Sequence, residues 1–350
     1  MPLLESTVTT DYIGTTFAAN SQWYTDELEV IGLIRKQINH CYPEGRNLFI
    51  NSTWFGPQFD NDQWKRFQYL VSSNCQYDRL FVLAAADPIF LNADQIAKMA
   101  QDIHAKETFL LGHFDSEHNF NFHSLVLKKY FHTYTQEQLL MQEPQYVFLN
   151  YNRKPRGHRA DLVRVLEQQQ LDQLGLITLG ENSNVWENTA TQPRTLGEQP
   201  EDYAGAGNWG FDMGFGIPHD IHSLGNLNIW QRHFLTVVGE TEFLPWDPTF
   251  VSEKTWKPIL GLRPFVINGQ SKAYRWLRDR GFRTFNHVWP VDIDSATELD
   301  THDKIAEVIK WLGNQDLTQL YQQLLPDLIY NRKRFDEFSN EQFQHVRKLF

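Results

Sequence analysis

The chain is short of cysteine, of positive charge and of long apolar runs, and each shortage removes a class of protein. Two cysteines in 350 residues, Cys41 and Cys75, cannot build a disulfide framework, and they lack the close spacing of a metal knuckle. Lysine and arginine total 32 against 43 aspartates and glutamates, and the net charge of −11 makes nucleic acid an unexpected partner. No stretch approaches the roughly 20 consecutive apolar residues of a membrane-crossing helix. The opening Met1-Pro2-Leu3-Leu4-Glu5 has no basic region leading into an apolar one, so the expectation is a cytoplasmic protein without a membrane span. Low-complexity tracts, internal repeats, a serine-hydrolase elbow and a phosphate-loop lysine motif are also missing.

What remains is a globular composition, with 41% apolar and 21% charged residues, and it is rich in aromatics (11 Trp, 13 Tyr, 25 Phe). Aromatic side chains fill cores, and they also make platforms for sugars and bases. A length of 350 residues suggests two domains, each able to bury its own core.

Periodicity predicts strands joined by helices. In the first half, Leu48–Asn51, Arg79–Leu83 and Thr108–Gly112 read as strands and the stretch from Trp64 to Leu70 as a helix. Asn92 with Gln95 three residues on makes a capping box for a helix whose Ile96, Met99, Ala100 and Ile103 share one face. After a linker near Gln142-Glu143-Pro144 the same layout returns. Strands are expected at Tyr146–Asn150, Gly175–Leu179, Phe234–Val238 and Pro264–Ile267, and helices at Gly157–Leu171, Ser252–Leu260 and Ser271–Arg280. Two apolar stripes, Ile305, Val308, Ile309, Leu312 and then Leu317, Leu320, Tyr321, Leu324, Leu328, predict C-terminal helices. From 181 to 225 regular periodicity stops and Gly, Asn and isolated aromatics take over, the pattern of a long functional loop. The expected domains are 1–143, 144–330 and a helical tail 331–350.

Two constellations carry chemistry. Asn150-Tyr151-Asn152-Arg153-Lys154-Pro155-Arg156-Gly157-His158-Arg159 sets cations where an apolar strand feeds a helix start. Backbone N–H groups and the helix dipole already favour an anion there, arginine adds bidentate phosphate contacts, and ligands of open α/β sheets bind at that end of the strands. The alternative is a solvated basic turn. In the second, Ser252-Glu253-Lys254 opens a helix, so that a carboxylate can reach sugar hydroxyls while an ammonium meets a phosphate. Glutamate at a helix start also complements the dipole with no further role. Upstream, Gly239-Glu240-Thr241-Glu242 sets another carboxylate at a strand end.

Glu240, the run Phe250-Val251-Ser252-Glu253-Lys254 and the strand Pro264-Phe265-Val266-Ile267 together resemble the donor-binding half of the α-1,3-fucosyltransferases, which are GT-B glycosyltransferases. The segment from Asn152-Arg153 to His158-Arg159 is similar to the opening of the donor domain in exostosin-like enzymes. The resemblance spans roughly residues 145 to 285. It implies two Rossmann-like domains facing across a cleft and transfer of a hexose from a nucleotide-sugar, GDP-linked by preference, to a carbohydrate or glycoconjugate hydroxyl. It also implies inversion, no obligatory metal, and no cofactor besides the nucleotide-sugar co-substrate. Residue by residue, Glu253 would hold the ribose, Lys254 the diphosphate and Arg153 the phosphates, with Asn152, Arg156, Arg159, Glu240 and Ser252 beside them. Thr241-Glu242 replaces the family's Asn-Ser. Pro258 falls inside the expected helix, where an interior proline costs about 3 kcal/mol.

Such a reaction needs a general base. The expected candidates are Asp87 after the second strand and Asp115 or Glu117 in the loop His113–His118, where His113, His118, Phe114 and Phe120 supply a mixture suited to a sugar. Other readings are a non-catalytic sugar- or nucleotide-binding protein of the same fold and a glycosyltransferase acting on nucleic-acid bases. Several motifs are discounted. Gly205-Ala206-Gly207-Asn208-Trp209-Gly210 spells a dinucleotide fingerprint without its strand and helix, and Asp60/Asp62 and Asp292/Asp294 read as turns rather than metal-holding pairs. His219 and His222 lack a third zinc ligand, and the sequon Asn51-Ser52-Thr53 has no secretory route.

Overall fold

The computed structural model describes residues 10–13, 22–52, 62–84, 92–114, 116–128, 132–152, 156–179, 224–244 and 249–349. The chain forms two compact units. Met1–Asn20, Tyr24–Val126 and Asn340–Phe350 make the first, and Ser21–Trp23 with Leu127–Ser339 make the second. Each holds one four-stranded, all-parallel sheet with helices between strands, so the protein is α/β.

In the first unit the order of elements is β1 (Asp11–Ile13), α1 (Gln22–Cys41), β2 (Asn47–Asn51), α2 (Asp62–Ser72), β3 (Arg79–Ala84), α3 (Ala93–Asp102), β4 (Glu107–Gly112) and α4 (Phe122–Leu127). The strands lie in chain order, β1-β2-β3-β4, with Phe49 opposite Phe81 and Phe81 opposite Phe109. Strand residues buried on both faces read as continuous apolar runs, the habit of a covered parallel sheet. Phe49, Phe81, Leu83 and Leu111 pack with Val30, Ile31, Ile34 and Ile38 of α1 and with Val346 and Leu349. Leu48, Ile50, Leu80 and Val82 pack on the other face with Phe67 of α2 and Ile96 and Met99 of α3. The α3 capping box forms as expected: Asn92 Oδ1 accepts from the Gln95 N–H at 2.8 Å, and the Asn92 N–H donates to Gln95 Oε1 at 2.9 Å. Asn51 and Ser52 are each 1% exposed, so the asparagine of the sequon is buried.

The second unit follows with α5 (Gln136–Leu139), β5 (Tyr146–Asn152), α6 (Gly157–Gln168), β6 (Gly175–Leu179), α7 (Leu227–Trp230), β7 (His233–Gly239), α8 (Glu253–Leu260), β8 (Phe265–Asn268), α9 (Ala273–Asp279), α10 (Thr301–Leu312) and α11 (Leu317–Arg347), whose residues from Asn340 on belong to the first unit. Its sheet runs β6-β5-β7-β8, so the chain moves one way from β5 and returns past it to β7. One continuous core, from Leu127 and Phe148 to Trp256, Phe285 and Phe338, fills this unit. Helix α8 runs through Pro258, which removes one backbone bond in its second turn. Burial of Trp256, Pro258, Ile259 and Leu260 supplies the packing that holds it. No helix among the described residues is long and apolar enough to cross a membrane.

Candidate functional site

The reversal of strand order in the second unit fixes where a ligand would enter. When the connection after one strand goes left and that after its neighbour goes right, the two carboxyl ends part and leave a crevice, here between β5 and β7. β5 ends at Asn152 and β7 at Gly239, and the Leu149–Thr236 register sets these two residues opposite each other. Asn150 and Asn152 are both buried; Asn150 Nδ2 donates to the Val237 carbonyl at 2.7 Å and Asn152 Nδ2 to Asn150 Oδ1. Gly239 is required here, because a Cβ would lie 2.3 Å from Asn152 Oδ1.

Glu240 follows at once and is fully buried. Its Oε1 accepts from the Ser252 N–H (3.0 Å) and the Thr255 hydroxyl (2.6 Å). Its Oε2 accepts from the Thr241 N–H (3.0 Å) and the Ser252 hydroxyl (2.6 Å). Four donors on an acceptor-only group compensate its removal from water. Ser252 is at the same time the N-cap of α8, its hydroxyl oxygen accepting from the Lys254 N–H. The Glu240 carbonyl collects a second set of donors from α6: His158 Nε2 at 2.9 Å and Arg159 Nε and Nη2 at 3.2 and 2.8 Å. Burial, reinforced by the neighbouring Arg159 charge, pushes the His158 imidazole down to about 3, so it is neutral and donates through Nε2.

Around this buried centre stand two partly exposed cations. Arg156, at the start of α6, donates from Nη1 to the Thr241 carbonyl at 3.0 Å and pairs with Glu242 at 3.6 Å. Lys254, in the first turn of α8, donates from Nζ to the Thr241 hydroxyl at 3.1 Å and to Glu253. Their side chains are 26% and 29% exposed, while Glu253 is 5% exposed. Two helix starts thus bring cations to one residue, Thr241, at the end of β7. A Cβ added to Gly157, the first residue of α6, would meet nothing within 4 Å. Phe243 stacks with His158 (4.9 Å between ring centres) and with His302 of α10 (5.4 Å). His302 meets Asn268 Oδ1 through Nε2 at 3.1 Å, and Asn268 Nδ2 donates to the His158 carbonyl.

The second unit therefore gathers Asn152, Arg156, Arg159, Glu240, Ser252, Glu253 and Lys254 at one sheet edge, with Arg159 and Glu240 turned inward and Arg156 and Lys254 partly open to solvent. Arg153 lies outside the described residues, as do Asp87, Asp115, His219, His222, Asp60, the Gly205–Gly210 run and the loop expected over 181–225 except for Leu224 and Gly225. Glu117 belongs to the first unit, 86% exposed, with its carboxylate 3.6 Å from His118 Nε2. In the same unit His113 is buried and held at about 3 by desolvation, with His123 at 5.9 Å between ring centres. Asp292 and Asp294 act as turn residues: Asn286 and Ser295 donate to the first, and Thr284 and Arg278 to the second. No group of three or more metal-ligating side chains occurs among the described residues. The sequence assigns no role to Thr255 or Asn268, although both border the motifs read there, and gives no sign of Phe243 or His302, since nothing local to them signals a shared neighbour. Compared with protein-family models, with curated proteins and with solved structures, the chain has no match.

Proposed function

We propose that the protein is a GT-B glycosyltransferase that moves a sugar from a nucleotide-sugar, GDP-linked by preference, to an acceptor hydroxyl with inversion and without an obligatory metal. The observation that carries this reading is the meeting of Arg156 and Lys254 on Thr241 at the switch point of the second sheet. A departing nucleoside diphosphate develops negative charge. Fixed cations beside two helix starts stabilise it, and because they are already in place they need little reorganisation. Arg156 offers a planar fork to phosphate oxygens and Lys254 a point charge. Glu253, next to that ammonium, accepts from the ribose hydroxyls. Inversion also needs a general base for the acceptor proton, for which Glu117, Asp115 and Asp87 are the candidates.

Thermal-shift and calorimetric titration with GDP, UDP, CDP and dTDP and their sugar conjugates tests the proposal, since a ligand bound to the native form alone raises its apparent stability. Lys254→Ala and Arg156→Ala should each weaken diphosphate binding by roughly tenfold to a hundredfold, the worth of a charge-assisted hydrogen bond. A chain stabilised by none of these compounds, or two variants that bind as the parent does, would end it. Release of nucleoside diphosphate in the presence of sugar acceptors then distinguishes turnover from binding alone.

A further inference from the structure

We infer that Glu240 is a positioning residue that holds the Lys254 ammonium through Thr241 and Ser252, and that its carboxylate reaches no ligand. The consequence for binding rests on the nucleotide-sugar reading above; the positioning itself does not. Glu240 is 0% exposed, and four donors from the chain converge on its two oxygens. Of these, the Thr241 N–H fixes the residue whose hydroxyl takes the Lys254 ammonium and whose carbonyl takes Arg156. The Ser252 hydroxyl spends its proton on Glu240 Oε2 at 2.6 Å, which turns its lone pairs toward the Lys254 N–H at 3.3 Å and the Lys254 Nζ at 3.4 Å. The ammonium, paired with Glu253, therefore also rests on two hydroxyl oxygens, one turned toward it by the buried carboxyl and the other on the residue whose N–H that carboxyl holds, and the same carboxyl ties β7 to the start of α8.

The chemistry of the side chain makes this separable from simple space-filling. All four donor groups, from Thr241, Ser252 and Thr255, point hydrogens at Glu240, so the group must accept at both oxygens. Glutamine has the same shape but turns an NH2 toward two of those four donors, so Glu240→Gln keeps the volume and breaks the polarity. Ser252→Ala keeps the Glu240 carboxylate and three of its four donors, and removes the hydroxyl that links it to Lys254 and caps α8.

The test uses the full chain as parent, Glu240→Gln, Ser252→Ala, Lys254→Ala and the double variant Glu240→Gln/Lys254→Ala. Lys254 reactivity is read without ligand by trace acetylation and mass spectrometry, normalised to the other lysines, and GDP affinity by calorimetry. Glu240→Gln and Ser252→Ala should each change Lys254 reactivity severalfold. Glu240→Gln should weaken GDP about tenfold in the parent and less than twofold in the Lys254→Ala background, because a residue acting through Lys254 has nothing left to act on. Unchanged Lys254 reactivity in both variants overturns the inference, as does a full tenfold effect persisting without Lys254. Should the parent bind no GDP, the proposed function loses its support while the reactivity comparison still decides the role of Glu240. Should Glu240→Gln fail to fold, Ser252→Ala carries the same comparison.

Discussion

The two units share a four-stranded parallel sheet and differ in what they bury. Among the described residues the buried arginines and glutamates, Arg159, Glu240, Glu253 and Arg263, all belong to the second unit, whereas the first buries asparagine, serine, threonine and histidine. Taking a charge out of water costs several kcal/mol unless hydrogen bonds replace the lost hydration. A sheet that carries such groups has been built around them. Three of the four stand at the carboxyl edge, where a ligand would sit. Arg263 stands at the other end, just before β8. Its guanidinium donates to the carbonyls of Leu139, Trp230 and Leu262 at 2.8 Å each and lies against the Tyr321 ring, tying α5, α7, β8 and α11 together. One end of the sheet thus concentrates charge around a candidate ligand crevice, the other around a structural clamp.

The strongest way to break that contrast is at the clamp. Arg263→Met leaves buried carbonyls without donors and should lower stability by about 3–5 kcal/mol, read from the urea midpoint; a loss below about 1 kcal/mol would mean the clamp is ornamental. Acid comes next. His113 in the first unit and His158 in the second are both pushed down to about 3 by burial, below the ordinary 6.5. An unfolded chain takes up these protons first, so their contribution is complete above pH 6.5 and is lost as pH falls toward 3. Each adds about 1.4 kcal/mol per pH unit to that fall. His113→Gln and His158→Gln should each flatten stability against pH by roughly one proton, and equal slopes in parent and variants would remove the effect. The smallest test compares two glycines of the second unit. Gly239→Ala drives a methyl toward Asn152 and should cost about 1–3 kcal/mol. Gly157→Ala enters open space at a helix start and should change stability by less than about 1 kcal/mol.

Much of this fold is readable along the chain, for a definite reason. The β6 bounds and the α3 capping box follow from local patterns, and the structure agrees with both. The expected strands and helices of both halves stand where periodicity sets them, within a few residues. Elements whose signal is short or mixed were not read: β1 has three residues, and the stripe Val30, Ile31, Ile34, Ile38 of α1 is interrupted by Leu33 and by charged neighbours. Helix α11 runs unbroken through Pro326 to Arg347, joining the expected Leu317–Leu328 stripe to the helical tail expected over 331–350, because burial of Phe335, Phe338 and Val346 outweighs one lost backbone bond. For the candidate site, Asn152, Arg156, Glu240, Ser252 and Lys254 were legible because polar residues at strand ends and helix starts stand out against apolar runs. Their inward or outward direction was not. Arg263 has no local signal of burial, and only the fold supplies the carbonyls that draw it inside.

The stack of His158, Phe243 and His302 has a spectroscopic consequence. Two imidazoles stack with one phenyl ring, tilted from it by 10° and 14°. The carbon-bound protons of both histidines sit in the ring's shielding region, so their resonances stand upfield of those of solvent-exposed histidines. A molecule that draws the chain after Glu240 away from α6 and α10 would release both signals together, giving an intrinsic reporter of events at this sheet edge.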